Sequence, residues 1–447
     1  MRLDKTVRED EDSHAFSSSS TSHFTTHSIH TMNYTPQFPD KLQATILLPS
    51  SKSISNRALL LCALSGGNAK VERRSACDDT NVMWKNITER PPVADIMAAG
   101  TAMRFLTAYF SICTDEEHVI TGTKRMRERP IGVLVDALRE IGADIEYVEN
   151  EGFPPLRIKG RKLHGGTLQL PANVSSQYIS ALLMIAPCMD SGLTLQLVGE
   201  IISRPYINMT IEMMKTYGAE VAWTSDDTLR VEGKPYAPST CYTVESDWSA
   251  ASYWYEMVAL SSDPEARIAL PWLTPNSLQG DCAIRRFFEP LGVKTTFDED
   301  SHCAILTKDE RLRLSIEQTY ELDLVNQPDL AQTLVVTCAA LRQPFCFKGL
   351  RSLRIKETDR MAALQCELGK FGITLGIEGD ESLFIHQYAA NLHYNGTPIA
   401  TYNDHRMAMA FAPLGLVCEG SVVIAHPEVV SKSYPDFWKD IETLSRG

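Results

Sequence analysis

One helix-like segment recurs six times along this chain, opening at Ser53, Thr101, Ser176, Ser249, Asp329 and Asp404. Each copy begins with a polar or acidic residue suited to an N-cap or first turn, then runs through small and apolar residues for about three turns. The intervals between openings are 48, 75, 73, 80 and 75 residues. A period near 75 with one short interval points to an assembly of like units. The segments are apolar nearly all round, as in Ala181-Leu182-Leu183-Met184-Ile185 and Leu334-Val335-Val336. A helix without a polar face has to be buried, so these six are expected at the centres of globules.

A second block recurs between them: an amphipathic helix ending in glycine, a strand, a turn and another strand. Residues 131–142 lead to strands at 144–148 and 156–158; residues 206–218 lead to 220–223 and 229–232. Residues 281–292 and 359–372 repeat the scheme. The glycines suit helix C-caps, and the segments after them alternate with period two. Between 79 and 97 this block is mostly missing, which accounts for the short interval. The expected fold class is α/β: six βαβαββ-like units, the first truncated, grouped three and three.

Bulk properties narrow the function. With 447 residues, two domains are expected. The 56 acidic against 43 basic residues give a net charge of -13, which opposes nonspecific binding to nucleic acid or an anionic membrane. The eleven cysteines are scattered, odd in number and free of metal-ligand spacings, as expected of reduced thiols in a cytosol. No metal site is expected. The longest apolar runs, such as 178–189, are too short to span a membrane, and no secretory signal is visible. Residues 1–32 read as a disordered extension, because a charged opening and a Ser/Thr/His tract offer little to bury.

Against the acidic background, three segments place basic residues beside hydroxyls or acids at expected helix starts: Ser51-Lys52-Ser53-Ile54-Ser55-Asn56-Arg57, Lys356-Glu357-Thr358-Asp359-Arg360 and Asp404-His405-Arg406-Met407. Helix N-termini already favour anions. Three local cationic sites in an acidic chain suit an enzyme for small, multiply anionic substrates. One such segment alone would be read as a salt-bridged helix cap.

These segments occur in one order with Gly100-Thr101-Ala102-Met103-Arg104, Arg129-Pro130-Ile131, Ser175-Ser176-Gln177 and Ser203-Arg204-Pro205-Tyr206. From about residue 40 onward the set closely resembles the 5-enolpyruvylshikimate-3-phosphate (EPSP) synthase family. The resemblance implies a two-globule inverse α/β barrel closing on its substrates. Chain crossings near Ser50 and Asp247 would divide it into 51–247 and 33–50 plus 248–447, with the active site in the cleft. It also implies a transferase that moves the enolpyruvyl group of phosphoenolpyruvate to the 5-hydroxyl of shikimate 3-phosphate, releasing phosphate. The chain is expected to act as a cytoplasmic monomer on these two small molecules, with no cofactor and no nucleic-acid or membrane partner.

Carried over residue by residue, the resemblance implies a phosphoenolpyruvate site of Lys52, Gly100, Arg129, Gln177, Arg360, Arg406 and Lys432. It implies a shikimate 3-phosphate site of Lys52, Ser53, Arg57, Ser175, Ser176, Gln177, Ser203, Tyr206, Asp329 and Lys356. Asp329 is assigned to the hydroxyl proton and Glu357 to the carbon proton, with Lys52 sharing the proton handling and His405 assisting. Glyphosate is the implied competitor of phosphoenolpyruvate. The chain departs from the family pattern at three positions: the family often has Asn where Ala98 stands, Pro where Phe105 stands and Asn where Ser352 stands; Ala98 and Phe105 are expected to weaken glyphosate relative to substrate. The sister enzyme acting on UDP-N-acetylglucosamine carries a cysteine in the loop that here reads Thr121-Gly122-Thr123-Lys124-Arg125-Met126, which has none. A noncatalytic anion-binding relative would be expected to lose Asp329, Glu357 or the arginines, and all are present.

Overall fold

A computed structural model describes residues 33–66, 70–237, 241–298, 300–379, 381–388 and 392–444. The expected disordered extension, 1–32, lies outside the described residues. The rest is a mixed α/β structure in which four four-stranded sheets share one pairing pattern. In one of them Gly166–Pro171 runs parallel to Leu193–Val198, which is antiparallel to Thr228–Val231, itself antiparallel to Val221–Trp223. Helix Ser176–Ile185 connects the parallel pair, and helix Arg204–Thr216 leads into the antiparallel hairpin. The same order holds for Val93–Asp95, Glu117–Thr121, Leu156–Lys159 and Asp144–Tyr147. It holds again for Tyr320–Asp323, Phe345–Lys348, Ser382–Tyr388 and Ile373–Glu378. In the fourth, Gln43–Thr45 supplies the parallel partner of Arg267–Pro271 from far upstream, and Cys303–Lys308 and Val293–Asp298 complete the sheet.

The apolar helices lie inside. Leu182, Leu183, Leu334, Val335 and Val336 are fully buried, each contributing about 1.5–3 kcal/mol by leaving water. Buried apolar side chains form two clusters. One is drawn from Ile54 through Val244; the other from Leu42, Ile46 and Leu48 together with Trp248 through Leu444. Between them two chain segments pass side by side: Ser50 pairs with Ser246, Ser51 N donates to Glu245 O at 2.8 Å and Asp247 N to Pro49 O at 2.9 Å.

Helix starts differ in detail from expectation. Ser51 rather than Ser53 caps helix Lys52–Leu64, and Ser175 caps the helix that Ser176 begins. Asp247 caps Trp248–Leu260, accepting from Ser249 N at 2.8 Å and Ala250 N at 3.4 Å. Asp329 sits in a 3-10 turn, Pro328–Leu330, ahead of helix Ala331–Ala340. The segment 79–97 is also fuller than expected: helix Asp78–Glu89 and strand Val93–Asp95 occupy it. What it lacks is an antiparallel hairpin. The polar opening Asp78-Asp79-Thr80-Asn81 hides the helix's buried side, which is little more than Met83 and polar groups.

Candidate active site

Asp359 caps helix Arg360–Gly369 by accepting from Met361 N and Ala362 N, each at 3.1 Å. That cap sets Arg360 in the first turn, 2% exposed. Its guanidinium reaches three carboxylates: Asp404 through Nε at 2.7 Å, Asp329 through Nη1 at 2.9 Å and Glu357 through Nη2 at 3.0 Å. Asp329 also accepts from Arg406 Nη2 and pairs with Lys356 Nζ, both at 3.2 Å. Glu357 also accepts from Lys432 Nζ at 2.8 Å. Asp404 caps helix His405–Phe411, accepting from Arg406 N at 3.0 Å, and so joins two of the motif helices through Arg360.

Isolated, any of these buried ions would be costly; linked, each finds counter-charge. Burial works against charge on Asp329, but Arg406, Lys356 and Arg360 outweigh it and hold the carboxyl well below its usual range. Glu357 is likewise buried, and Lys432, Arg360 and Arg129 hold it well below the usual range. Both carboxylates are therefore ionised here. Two groups with such similar settings have to be told apart by what each faces when substrate binds.

His405 is different. It is 2% exposed, and neither ring nitrogen has a hydrogen-bond partner among the described residues. Burial first, then Lys52, Arg406 and Lys432, push its pKa well down, so the imidazole is neutral. A neutral ring among cations supplies shape and polarity rather than charge.

The other half of the site comes from the segments before Ser246. Lys52, in the first turn of its helix, pairs with Asp79 at 3.1 Å. Burial is the largest single influence and opposes its charge, yet Asp79, Cys77 and Glu357 together outweigh it and raise the pKa. Arg57, one turn on and 2% exposed, donates to Thr210 Oγ1 at 2.7 Å, Ser53 O at 3.0 Å and Ser180 Oγ at 3.2 Å. Gln177 Nε2 donates to Thr101 Oγ1 at 2.9 Å. Arg129 lies against Gly100: a Cβ there would stand 2.7 Å from Arg129 Nη1. Burial, then neighbouring Arg104, lowers the Arg129 pKa to about 10, which leaves it charged at neutral pH. Ser176 and Ser203 are buried at helix starts, and Ser203 takes left-handed backbone at φ 55° while its N–H donates to Val325 O at 3.0 Å. Tyr206 is set electrostatically against Asp281, Asp329 and Arg406.

Contacts join the two halves. Arg125 donates to Glu357 O and Lys356 O, each at 3.3 Å, and Ser431 Oγ to Asp78 Oδ2 at 2.6 Å. Asp329, Glu357, Lys356, Arg360, Arg406, Lys432 and His405 thus share one cluster, and the charges of Lys52 and Arg129 reach it. Arg57, with Ser53 and Tyr206 carbonyls beside it, forms a separate cationic spot. Sequence reasoning passed over Arg104, Arg125, Asp79 and Asp404 as site residues. Arg104 stood in a quoted motif and Asp404 opened a helix; Asp79 and Arg125 carried no pattern of their own.

Two carboxylates amid at least five buried or half-buried cations can bind polyanions and move protons at the same place. Comparisons with known proteins agree with that chemistry. The family described as EPSP synthase (3-phosphoshikimate 1-carboxyvinyltransferase) matches residues 36–89 and 85–441. The chain is 52% identical over 421 residues to the 3-phosphoshikimate 1-carboxyvinyltransferase of Bacteroides fragilis strain YCH46, covering 93% of this chain and 98% of that one. It is 35% identical over 434 residues to the enzyme of the same name from Actinobacillus pleuropneumoniae serotype 3, covering 91% and 97%. In fold it is similar to the EPSP synthase structure from Acinetobacter baumannii, with a TM-score of 0.71 at 20% identity over 92% of this chain and 98% of that one. With both halves of its site and nearly its whole length matched, the chain belongs to the EPSP synthase family.

Proposed function

We propose that this protein transfers the enolpyruvyl group of phosphoenolpyruvate to the 5-hydroxyl of shikimate 3-phosphate and releases phosphate. The observation that carries the reading is Arg360, one buried guanidinium holding Asp329, Glu357 and Asp404 together while Arg406, Lys356 and Lys432 crowd the same carboxylates. Phosphoenolpyruvate, with a phosphate and a carboxylate, takes Lys52, Gly100, Arg129, Gln177, Arg360, Arg406 and Lys432. Shikimate 3-phosphate takes Lys52, Ser53, Arg57, Ser175, Ser176, Gln177, Ser203, Tyr206, Asp329 and Lys356. Arginine forks suit both anions bidentately.

The reaction is addition followed by elimination through a tetrahedral ketal. Asp329, ionised, accepts the 5-hydroxyl proton as that oxygen attacks the phosphate-bearing carbon of phosphoenolpyruvate. Glu357, protonated from solvent as the substrates seat, delivers that proton to the methylene carbon; in the second step the carbon returns a proton to Glu357, and phosphate leaves with the proton that Asp329 took from the hydroxyl. Lys52 shares the proton handling, and neutral His405 supports it. The cations stabilise charge as it develops.

The proposed architecture is an inverse α/β barrel of six units, the first truncated, in two globules spanning 51–247 and 33–50 plus 248–447. The two hydrophobic clusters and the shared sheet pattern support it. The site lies in the cleft, and the enzyme works as a cytosolic monomer without a cofactor. Transfer to UDP-N-acetylglucosamine is disfavoured because the loop around Arg125 has no cysteine and is committed to the Lys356 and Glu357 carbonyls. A coupled phosphate-release assay tests the reading: release that requires both shikimate 3-phosphate and phosphoenolpyruvate supports it, and release with UDP-N-acetylglucosamine instead, or none, overturns it.

A further inference from the structure

The turn Gln279-Gly280-Asp281 has no part in the assignments above, yet it sets Asp281 against site residues. Gln279 is 3% exposed and pins the second chain crossing: its Oε1 accepts from Trp248 N at 3.1 Å, and its Nε2 donates to Ser246 O and Glu245 Oε1, each at 2.9 Å. Gly280 lets the turn close on the segment before Tyr206, since a Cβ would stand 2.6 Å from Pro205 Cβ. Asp281 is 1% exposed. Ser249 Oγ donates to its Oδ2, the Tyr206 hydroxyl interacts with the same carboxyl, and Oδ1 has no donor within hydrogen-bonding distance among the described residues. A buried carboxyl with an unmatched oxygen is costly to keep.

We propose that Asp281 is a positioning residue for the transfer, holding Tyr206 against the alicyclic substrate and balancing charge around Asp329 and Arg406. The proposal rests on the enolpyruvyl-transfer reading and extends it to a carboxyl that touches no substrate atom. The groups set against Asp281 are Tyr206 from helix Arg204–Thr216, Ser249 from helix Trp248–Leu260, Asp329 from its 3-10 turn and Arg406 from helix His405–Phe411, while the helix that follows in the chain, Ile284–Phe288, brings Arg285 and Arg286. Burial and then Asp329 push its pKa up to about 6, against the pull of Arg406, Ser249 and Tyr206. Charge on Asp281 makes neighbouring Asp329 a stronger base by like-charge repulsion, and gives Tyr206 a firm acceptor. Protonation near pH 6 removes both effects.

Asp281→Asn tests this, because the amide keeps the size and can still accept from Ser249. In steady-state assays the KM for shikimate 3-phosphate should rise about tenfold while that for phosphoenolpyruvate stays within about twofold. The acid limb near pH 6 in kcat/KM for shikimate 3-phosphate should disappear. Combined with Tyr206→Phe, the loss should be less than the sum of the single losses, because the two act as one unit. Wild-type constants with an unmoved acid limb, or full additivity, overturn the proposal. Should Asp281→Asn not fold, Tyr206→Phe alone decides: losing a donor that lowers the Asp281 pKa should move the acid limb upward, and an unmoved limb overturns the proposal. Absence of phosphate release by the wild-type enzyme overturns the transfer reading as well, and so is distinguishable.

Discussion

The Arg57 guanidinium lies 5.3 Å over the centre of the Phe105 ring. Both side chains are buried, and the described hydrogen bonds of Arg57 run to neutral oxygens of Thr210, Ser180, Ser53 and Tyr206. Burial lowers its pKa to about 10, so the charge persists at neutral pH without a carboxylate beside it. The aromatic face offsets part of the desolvation. Phe105 thus places a ring beneath a cation proposed to meet the phosphate of shikimate 3-phosphate.

Phe105→Leu should therefore raise the KM for shikimate 3-phosphate about fivefold, the loss of ~1 kcal/mol of cation–π support. kcat should change little. Initial-rate kinetics read the effect, and an unchanged KM would show that the ring only fills space.

Glu357→Gln and Asp329→Asn keep shape but cannot exchange a proton in the same way. Each should lower kcat about 10²- to 10⁴-fold. A melting curve close to wild type should accompany the loss for Glu357→Gln, whose amide can still accept from Arg360. Near-normal turnover in either natively folded variant would strip that residue of its proposed role.

Gly100→Ala places a methyl 2.7 Å from Arg129 Nη1 and 3.2 Å from Arg104 Nη1. The neighbour is the far end of a flexible side chain, so the fold should survive and the guanidinium should shift. The KM for phosphoenolpyruvate should rise about tenfold or more if one charge-assisted contact of about 1.5–3 kcal/mol is lost. The KM for shikimate 3-phosphate is the internal control. Equal changes in both would point to a general disturbance.

Glu256 offers a test of stability against pH. It is fully buried on helix Trp248–Leu260, and among the described residues neither carboxyl oxygen has a hydrogen bond of ordinary geometry; the Thr337 hydroxyl, which interacts with the carboxyl, donates to Thr333 O at 2.7 Å. Burial raises its pKa well above the usual range. For an acid raised in the folded state, the unfolded chain binds fewer protons above pH ~4.5, so stability is lost as pH rises toward the folded pKa. Glu256→Met should remove that loss. The gap in Tm between variant and wild type should widen from pH 4.5 to 7, with the variant higher; a constant gap would mean that Glu256 is ionised in the fold.

Much of this was legible locally. Strands Asp144–Tyr147 and Leu156–Lys159 fall within one or two residues of expectation, because one buried face forces apolar and polar residues to alternate. The apolar helices announced their burial in the same way. The segment 281–292 was harder: instead of one amphipathic helix it is 3-10, then Ile284–Phe288, then 3-10 again, since Pro290 cannot continue an α-helical ladder. In the site, residues on motifs at helix starts could be named in advance. Asp281 and Asp79 could not, because their meaning lies in partners distant in sequence, Tyr206 and Lys52, and a single turn residue has no period to read.

The cluster around Arg360 also bears on how the enzyme would be loaded. Arg360 is already paired with Asp329, Glu357 and Asp404, so an entering polyanion exchanges one set of negative partners for another. On the proposed reading, phosphoenolpyruvate draws Lys432 and Arg360 away from Glu357, and the interactions that kept that carboxyl ionised weaken as the ligand seats. Its proton affinity then climbs, and the side chain takes up a proton from solvent as the complex forms. The enzyme would thus acquire its acid from the act of binding, and the heat of association should vary with the ionisation enthalpy of the buffer.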